Sequence, residues 1–438
     1  MPKIGMISLG CAKNQVNTEQ MLWLLRDAGF EITGDTRDAD AVVVNTCGFI
    51  ESAKDEAIRQ IIELGLQKSP QGQFKIIVAG CLSQRYRDEI LSEMPEVDGV
   101  LGCGSYSDIV EVVNRALSGD KPCVFGDINA PVEETSRVLT TPDGWAYIKI
   151  AEGCDNRCAY CVIPDLRGSY RSRPMEGIIE EARNLAKNGT QELIVVAQDI
   201  TRYGTDLYGG RKLAELLKEL AQIPGLRWIR LHYLYPDEID DELIDVIAGE
   251  DKVLNYLDIP IQHISDSILS AMNRRGTGKE IRELFKKLRQ RIPGLVLRTS
   301  LIAGLPGEGE AEFTELCDFM RQEKIQRAGV FAFSPEEGTK AADMPRPSDE
   351  TALRRVERLM EIQAQVMDEY NLSRVGSAET VLCEGYDPEV GCFFGRSYAE
   401  SPDVDGRILL EGENLKPGDF LNVRIIGVRE NELQGVVQ

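Results

Sequence analysis

A chain of 438 residues with 42% hydrophobic and 28% charged side chains can fill two to four domain cores, which excludes a disordered or fibrous protein. Its 50 basic residues against 72 acidic ones leave a net charge of −22, a poor match to nucleic-acid phosphates and a good one to a basic partner. No apolar run reaches the length of a membrane span and no secretory leader precedes the first strand-like segment, so the 11 cysteines point to a reducing, cytoplasmic setting with thiols available for metal.

From the N-terminus the pattern alternates between strand and helix. Lys3–Leu9 is strand-like, an amphipathic helix lies near Thr18–Gly29, and Ala41–Thr46 is a buried-type strand. A helix near Ser52–Gln67, a strand at Lys75–Gly80 and a helix at Ser107–Leu117 complete the unit. Such alternation predicts a Rossmann-like parallel sheet with crossover helices. Cys11, Cys47 and Cys81 each fall just after one of the three strands, 36 and 34 residues apart. Loops beyond the carboxyl ends of parallel strands share a crevice, so these thiols are expected to meet in space. Free cysteines are usually small buried hydrophobes, which is the plain alternative. Three equivalent places in successive units favour a shared iron–sulfur cluster with one iron open.

The section of about 145–370 repeats strand then helix six times. Strands are expected at Ala146–Ala151, Glu192–Ala197, Trp228–Leu231, Tyr256–Ile259, Val296–Ala303 and Gly329–Phe333, with a closing helix at Thr351–Tyr370. Six parallel units suggest a partial (β/α)6 barrel, whose sites lie at the C-terminal ends of its strands. Directly after the first strand stands Gly153-Cys154-Asp155-Asn156-Arg157-Cys158-Ala159-Tyr160-Cys161, a C-x-x-x-C-x-x-C run. A ferredoxin-type cluster normally takes four thiolates, so three leave one iron with an open position where chemistry can happen. A zinc ribbon would need a second C-x-x-C, a redox pair needs no third thiol, and a disulfide framework suits short secreted chains. Gln198-Asp199 and Gly304-Leu305-Pro306-Gly307-Glu308 follow the second and fifth strands and are placed to line a cofactor pocket, although an ordinary turn accounts for either alone. His232 and His263, at strand ends, are expected in polar contacts rather than on a metal. Cys103, Cys123, Cys317, Cys383 and Cys392 fall in no ligand spacing and are expected mostly as packing residues.

Beyond Leu372 the texture changes to short strand candidates at Glu379–Glu384, Cys392–Arg396, Val404–Leu410, Phe420–Gly427 and Leu433–Val437. Five short strands suggest a small antiparallel β-barrel of the oligonucleotide-binding kind. This one carries six basic against twelve acidic residues from Leu372 to Gln438, so it is expected to dock a basic protein. Glu400, Asp403, Asp405, Glu411 and Glu413 are the expected docking face.

Three cysteines in an α/β domain, a C-x-x-x-C-x-x-C barrel and a small terminal barrel together resemble the radical S-adenosylmethionine (SAM) methylthiotransferase family over the whole chain. Ser8-Leu9-Gly10-Cys11-Ala12-Lys13-Asn14, Asn45-Thr46-Cys47-Gly48-Phe49-Ile50 and Ala79-Gly80-Cys81-Leu82 are similar to its auxiliary-cluster motifs. Glu152-Gly153-Cys154 and Arg171-Ser172-Arg173-Pro174 are also family-like, while Val16-Asn17-Thr18-Glu19 departs mildly from the usual Asp-Ser-Glu. Asp258-Ile259-Pro260-Ile261-Gln262-His263, Ser334-Pro335-Glu336-Glu337-Gly338-Thr339 and Glu400-Ser401-Pro402-Asp403-Val404-Asp405-Gly406 resemble the branch that modifies an aspartate of small-subunit ribosomal protein S-twelve. The tRNA-modifying relatives typically place Ser-Gly where this chain has His263.

The resemblance implies a methylthiotransferase domain at 1–118, a radical SAM barrel at 140–370 and a TRAM-like barrel at 372–438. It implies two 4Fe-4S clusters. One would sit on Cys154, Cys158 and Cys161, where the open iron chelates SAM and cluster reduction cleaves it to a 5'-deoxyadenosyl radical. The other would sit on Cys11, Cys47 and Cys81 and carry the sulfur to be transferred. Tyr160 is placed like the family's aromatic near the SAM adenine, and Gln198 is a further SAM-contact candidate. Implied partners are ribosomal protein S-twelve or the small ribosomal subunit and an electron donor of flavodoxin or ferredoxin type, with no direct tRNA binding and no membrane. Two other readings stand beside this one. A tRNA methylthiotransferase predicts a basic terminal barrel, and a non-catalytic iron–sulfur protein predicts fully ligated clusters.

Overall fold

The computed structural model describes residues 1–68 and 74–438, which form two compact units. The first unit comprises residues 1–140, 149–173 and 334–343, and the second residues 141–148, 174–333 and 344–438.

In the first unit, β1 (Lys3–Ser8), β2 (Glu31–Thr33), β3 (Ala41–Thr46), β4 (Lys75–Gly80), β5 (Gly99–Leu101) and β6 (Cys123–Val124) build one parallel sheet in the order β2-β1-β3-β4-β5-β6. All six residues of β3 are buried, as a strand covered on both faces requires. Ala41 and Val43 pack with Ile4, Met21 and Ile77 on one side, while Val42 and Val44 pack with Ile61, Ile76 and Val78 on the other. β3 and β4 keep their predicted bounds. The expected parallel sheet therefore forms, but β2, β5 and β6 are too short to announce themselves by periodicity. The first helix spans Ala12–Asp27 and starts well before the expected Thr18, because its opening turns bury the polar Lys13, Asn14, Asn17, Thr18 and Glu19 around a single apolar Val16.

The second unit holds the other parallel sheet. β7 (Trp145–Lys149) leads the chain into a small first-unit bridge of β8 (Ala151–Glu152) with β9 (Arg171–Ser172). β10 (Glu192–Val196), β11 (Trp228–Leu231), β12 (Val253–Asp258), β13 (Val296–Ala303) and β14 (Arg327–Ala332) then follow. The sheet runs β7-β10-β11-β12-β13-β14 in simple chain order, the open six-stranded arrangement expected of a partial barrel. A helix at Asp349–Ser373 closes this section.

β15 (Ala378–Asp387), β16 (Cys392–Arg396), β17 (Ile408–Glu411), β18 (Phe420–Arg429) and β19 (Glu432–Val437) close a barrel in the order β15-β16-β17-β19-β18. Four seams are antiparallel and the β17–β19 seam is parallel. An odd number of strands cannot alternate direction all the way around, so one parallel seam is unavoidable. The predicted start of β17 at Val404 is too early. Pro402 and the bond from Ser401 N to Asp405 Oδ2 (2.9 Å) make residues 401–405 a folded loop instead.

Charges are buried between these layers of the second unit. Glu192 on β10 accepts from Arg230 on β11 and Arg396 on β16, both at 2.7 Å, and none of the three is more than 1% exposed. Glu400 is 1% exposed and lies between Arg327 and Arg374. Asp405 accepts from Tyr256 Oη at 2.6 Å, with its side chain 4% exposed. The expected docking face is corrected accordingly. Glu400 and Asp405 face inward toward cations, and only Asp403, Glu411 and Glu413 remain on the surface. No described helix is long and apolar enough to cross a membrane.

Candidate functional site

The three strand-end cysteines lie at the carboxyl edge of the first sheet. Cys11 caps the helix Ala12–Asp27, Cys47 follows β3, and Cys81 opens the short helix Cys81–Tyr86 after β4. Asn14 Nδ2 donates to Leu9 O (3.0 Å) and Thr46 O (2.8 Å), tying the first loop to the second. Asn45 Nδ2 returns bonds to Asn14 O and Thr18 Oγ1, both at 2.9 Å. The polar opening of the first helix is thus spent on holding the thiol-bearing loops.

Glycine is demanded at two of these turns. Gly10 has φ +92, and a Cβ there would come 2.8 Å from the Cys47 Cβ. Gly80 has φ +98, and a Cβ there would come 2.5 Å from Thr46 O. Gly80→Ala should therefore destabilise the protein by about 2 kcal/mol, measured by denaturant unfolding, through left-handed strain plus a backbone clash. A wild-type midpoint in that variant would contradict the packing described.

The thiols feel one another. Burial, then repulsion from Cys81 and Cys11, pushes the Cys47 thiol up to about 12. Cys81 goes the other way, down to about 6, because Cys103 donates to it and Arg167 adds a positive charge and further hydrogen bonds against its burial. Arg167 Nη2 and Nε stand 3.2 and 3.3 Å from Cys81 Sγ. The same guanidinium bonds Asn14 Oδ1 and lies 3.4 Å from Glu152, which also pairs with Lys149 at 2.8 Å. Lys149 Nζ in turn donates to Asn17 Oδ1 at 2.5 Å.

Arg167 ends the helix Ile163–Arg167, which follows directly on the second thiol loop. Cys154, Cys158 and Cys161 occupy that loop, between β8 and this helix. Cys154 N donates to Gly168 O at 3.1 Å and Cys161 N to Cys158 O at 3.0 Å, so the loop folds back on its own end. Tyr160 is 9% exposed there. The compact first unit therefore contains both cysteine triads, and none of the six is in a disulfide. No three described His, Cys, Asp or Glu side chains converge on a single-ion site. A cubane binds its thiolates at separate corners and does not ask for that.

Gln198 sits half-buried just past β10 in the second unit. In that unit Glu308 is buried, accepts from Gly304 N at 2.9 Å and pairs with Arg355 (2.8 Å), while His263 Nδ1 accepts from Ser265 N at 3.0 Å. His232 Nε2 lies 2.8 Å from Ser401 Oγ. Both histidines thus make the polar contacts expected of them. Cys317 and Cys383 are buried packing residues as expected, whereas Cys103 touches the Cys81 thiol, and neither it nor Arg167 was legible from cysteine spacing.

Residues 3–102 match the uncharacterized protein family UPF0004, residues 148–320 the radical SAM superfamily, and residues 375–437 the TRAM domain. Among solved structures, the chain resembles the radical SAM methyltransferase TsrM from Kitasatospora setae, with a TM-score of 0.57 at 16% identity over 78% of this chain and 77% of that one. The cobalamin-dependent radical enzyme OxsB is similar at a TM-score of 0.51 and 12% identity, over 84% of this chain and 56% of that one. At such identities the likeness speaks for the fold alone. The sheet and the superfamily match define a radical SAM enzyme. Curated relatives narrow it further. Proteins from Pelotomaculum thermopropionicum and Acetivibrio thermocellus, each named ribosomal protein uS12 methylthiotransferase RimO, are 50% and 48% identical, covering 99% of this chain and 98% of theirs. The chain belongs to the RimO family of methylthiotransferases.

Proposed function

We propose that this enzyme adds a methylthio group to the β-carbon of an aspartate in ribosomal protein S-twelve, using SAM and two 4Fe-4S clusters. The observation that carries this reading is the presence of six cysteines outside any disulfide as two triads in one compact unit, one triad at three strand ends and the other in the loop after β8. Cys154, Cys158 and Cys161 would hold the cluster that reduces SAM, with Tyr160 and Gln198 as SAM contacts, and Cys11, Cys47 and Cys81 the auxiliary cluster. The bound groups supply radical chemistry and a transferable sulfur, which no side chain offers toward an unactivated C–H bond.

The residues fit such groups. Arg167 neutralises a thiolate at Cys81, while burial keeps Cys47 protonated at neutral pH in the bare protein, so cluster binding must displace its proton. Asn14 and Asn45 hold the loops in register for that exchange. The functional modules fall at 1–118, 140–370 and 372–438. An electron donor of flavodoxin or ferredoxin type in the cytoplasm would serve the reduction. Six basic against twelve acidic residues in the terminal barrel favour a protein substrate over tRNA. The test is anaerobic reconstitution with iron, sulfide, SAM and reductant, offering S-twelve and bulk tRNA in parallel. The mass of S-twelve should rise by one methylthio group, and modification of tRNA instead would overturn the reading.

A further inference from the structure

One cavity in the first unit is unaccounted for by the ligands assigned above. It has a volume of about 100 Å³, and its wall includes Asn17, Cys103, Tyr106, Lys149, Arg167 and Arg171. That is room for a solute of a few heavy atoms, since one water needs roughly 10–15 Å³ on the same measure. Its outer rim, within residues 127–135, is largely solvent-exposed.

Two donors in this wall lack acceptors. Asn17 is fully buried, its Oδ1 is taken by Lys149, and its Nδ2 has no partner. Arg171 spends its terminal nitrogens on the carbonyls of Arg167 and Ser169, leaving a buried Nε without one. Glu152, the carboxylate inside, is already engaged by Lys149 and Arg167, while Asp127 and Glu133 belong to the rim segment. Buried donors left unmade are costly, so the cavity calls for an acceptor-bearing, anionic solute. The wall thiol adds a chemical demand. Cys103 receives a bond from Tyr106 Oη (3.6 Å) and packs in the cluster that contains Cys81.

We propose that this cavity admits the sulfur donor as a small hydropersulfide, R–S–SH, whose R group carries the negative charge, and that Cys103 accepts the terminal sulfur. The Cys103 sulfur attacks the sulfane sulfur, the donor S–S bond breaks, and R–S⁻ leaves carrying the electron pair. The proton of the Cys103 thiol ends on the leaving group as R–SH, and Cys103–S–SH remains, with no net oxidation. The loaded sulfur then lies a contact away from Cys81. This rests on the methylthiotransfer reading, which consumes one sulfur atom per product.

The test uses the anaerobically reconstituted full chain and cysteine hydropersulfide, followed by alkylation, digestion and mass spectrometry. Cys103 should carry one extra sulfur, and Cys123 and Cys392 should not. Arg171→Leu should lower loading by about tenfold, the equivalent of one lost charge-assisted hydrogen bond. Arg171→Gln, which removes the charge and keeps much of the length, carries the comparison should the Leu variant lose its iron. Equal labelling of Cys103, Cys123 and Cys392, or loading indifferent to both variants, overturns the proposal. If S-twelve is methylthiolated while Cys103 stays unloaded, only this inference fails. A loaded Cys103 with S-twelve untouched fails the functional reading instead.

Discussion

Replacing Cys154, Cys158 and Cys161 together by Ala is expected to abolish 5'-deoxyadenosine formation from SAM while sparing half of the iron. Two triads each holding four irons predict about eight per chain in the wild type and about four in this variant. The converse variant, lacking Cys11, Cys47 and Cys81, should still cleave SAM under strong reductant but transfer no sulfur. The asymmetry follows from the local scaffolds. The second triad occupies one loop that closes on itself through Cys154 N and Gly168 O, whereas the first depends on three separate strand ends. Thiolates bind iron only when deprotonated, and alanine offers nothing in their place, so the effect is a loss to background rather than a modest slowing. A full iron complement in the first variant, or sulfur transfer persisting in the second, would show that the ligands are wrongly assigned.

The cysteines were legible because ligand spacing and position after a strand are local properties of a sequence. Their surroundings were not. Arg167 reaches Cys81 across 86 positions, and Lys149 reaches Asn17 across 132, so no window of sequence contains either contact. The opening of the first helix reads as a loop because Asn14 and Asn17 break the apolar period, yet the structure buries both. Local rules fail there because those side chains serve the site rather than the core, which is where such failures are expected.

The fold itself was read more completely. β3, β4, β11, β13 and β16 keep their expected bounds, since each is a run of apolar or β-branched residues cut by Gly, Asn, Arg or Cys. The error in the terminal barrel came from treating acidity as a surface property. A charge count cannot tell an outward Glu411 from an inward Glu400, because the cations that bury Glu400 lie on β14 and at the end of the helix Asp349–Ser373.

That buried carboxylate makes the largest stability prediction. Glu400 takes bonds from Arg327 (2.7 Å), Arg374, Ser397 N (3.1 Å) and Ser397 Oγ (2.8 Å), joining β14 and the long helix to the terminal barrel. Its burial would favour the neutral acid, but the charges of Arg374 and Arg327 outweigh that and hold it down at about 2. Glu400→Ala leaves two buried guanidiniums short of a counter-charge and should cost roughly 3–5 kcal/mol, while Glu411→Ala on the exposed surface should stay within about 0.5 kcal/mol. Because the folded value lies below the ordinary 4.5, the contribution is complete above that pH and fades as the pH falls from about 4.5 toward 2. In Glu400→Gln, which keeps the shape and loses the charge, that part of the acid dependence should vanish. Denaturant unfolding of the three variants and the wild type at neutral pH and near pH 3 measures all of this. Equal costs for Glu400→Ala and Glu411→Ala would mean that the terminal barrel is not held by this carboxylate.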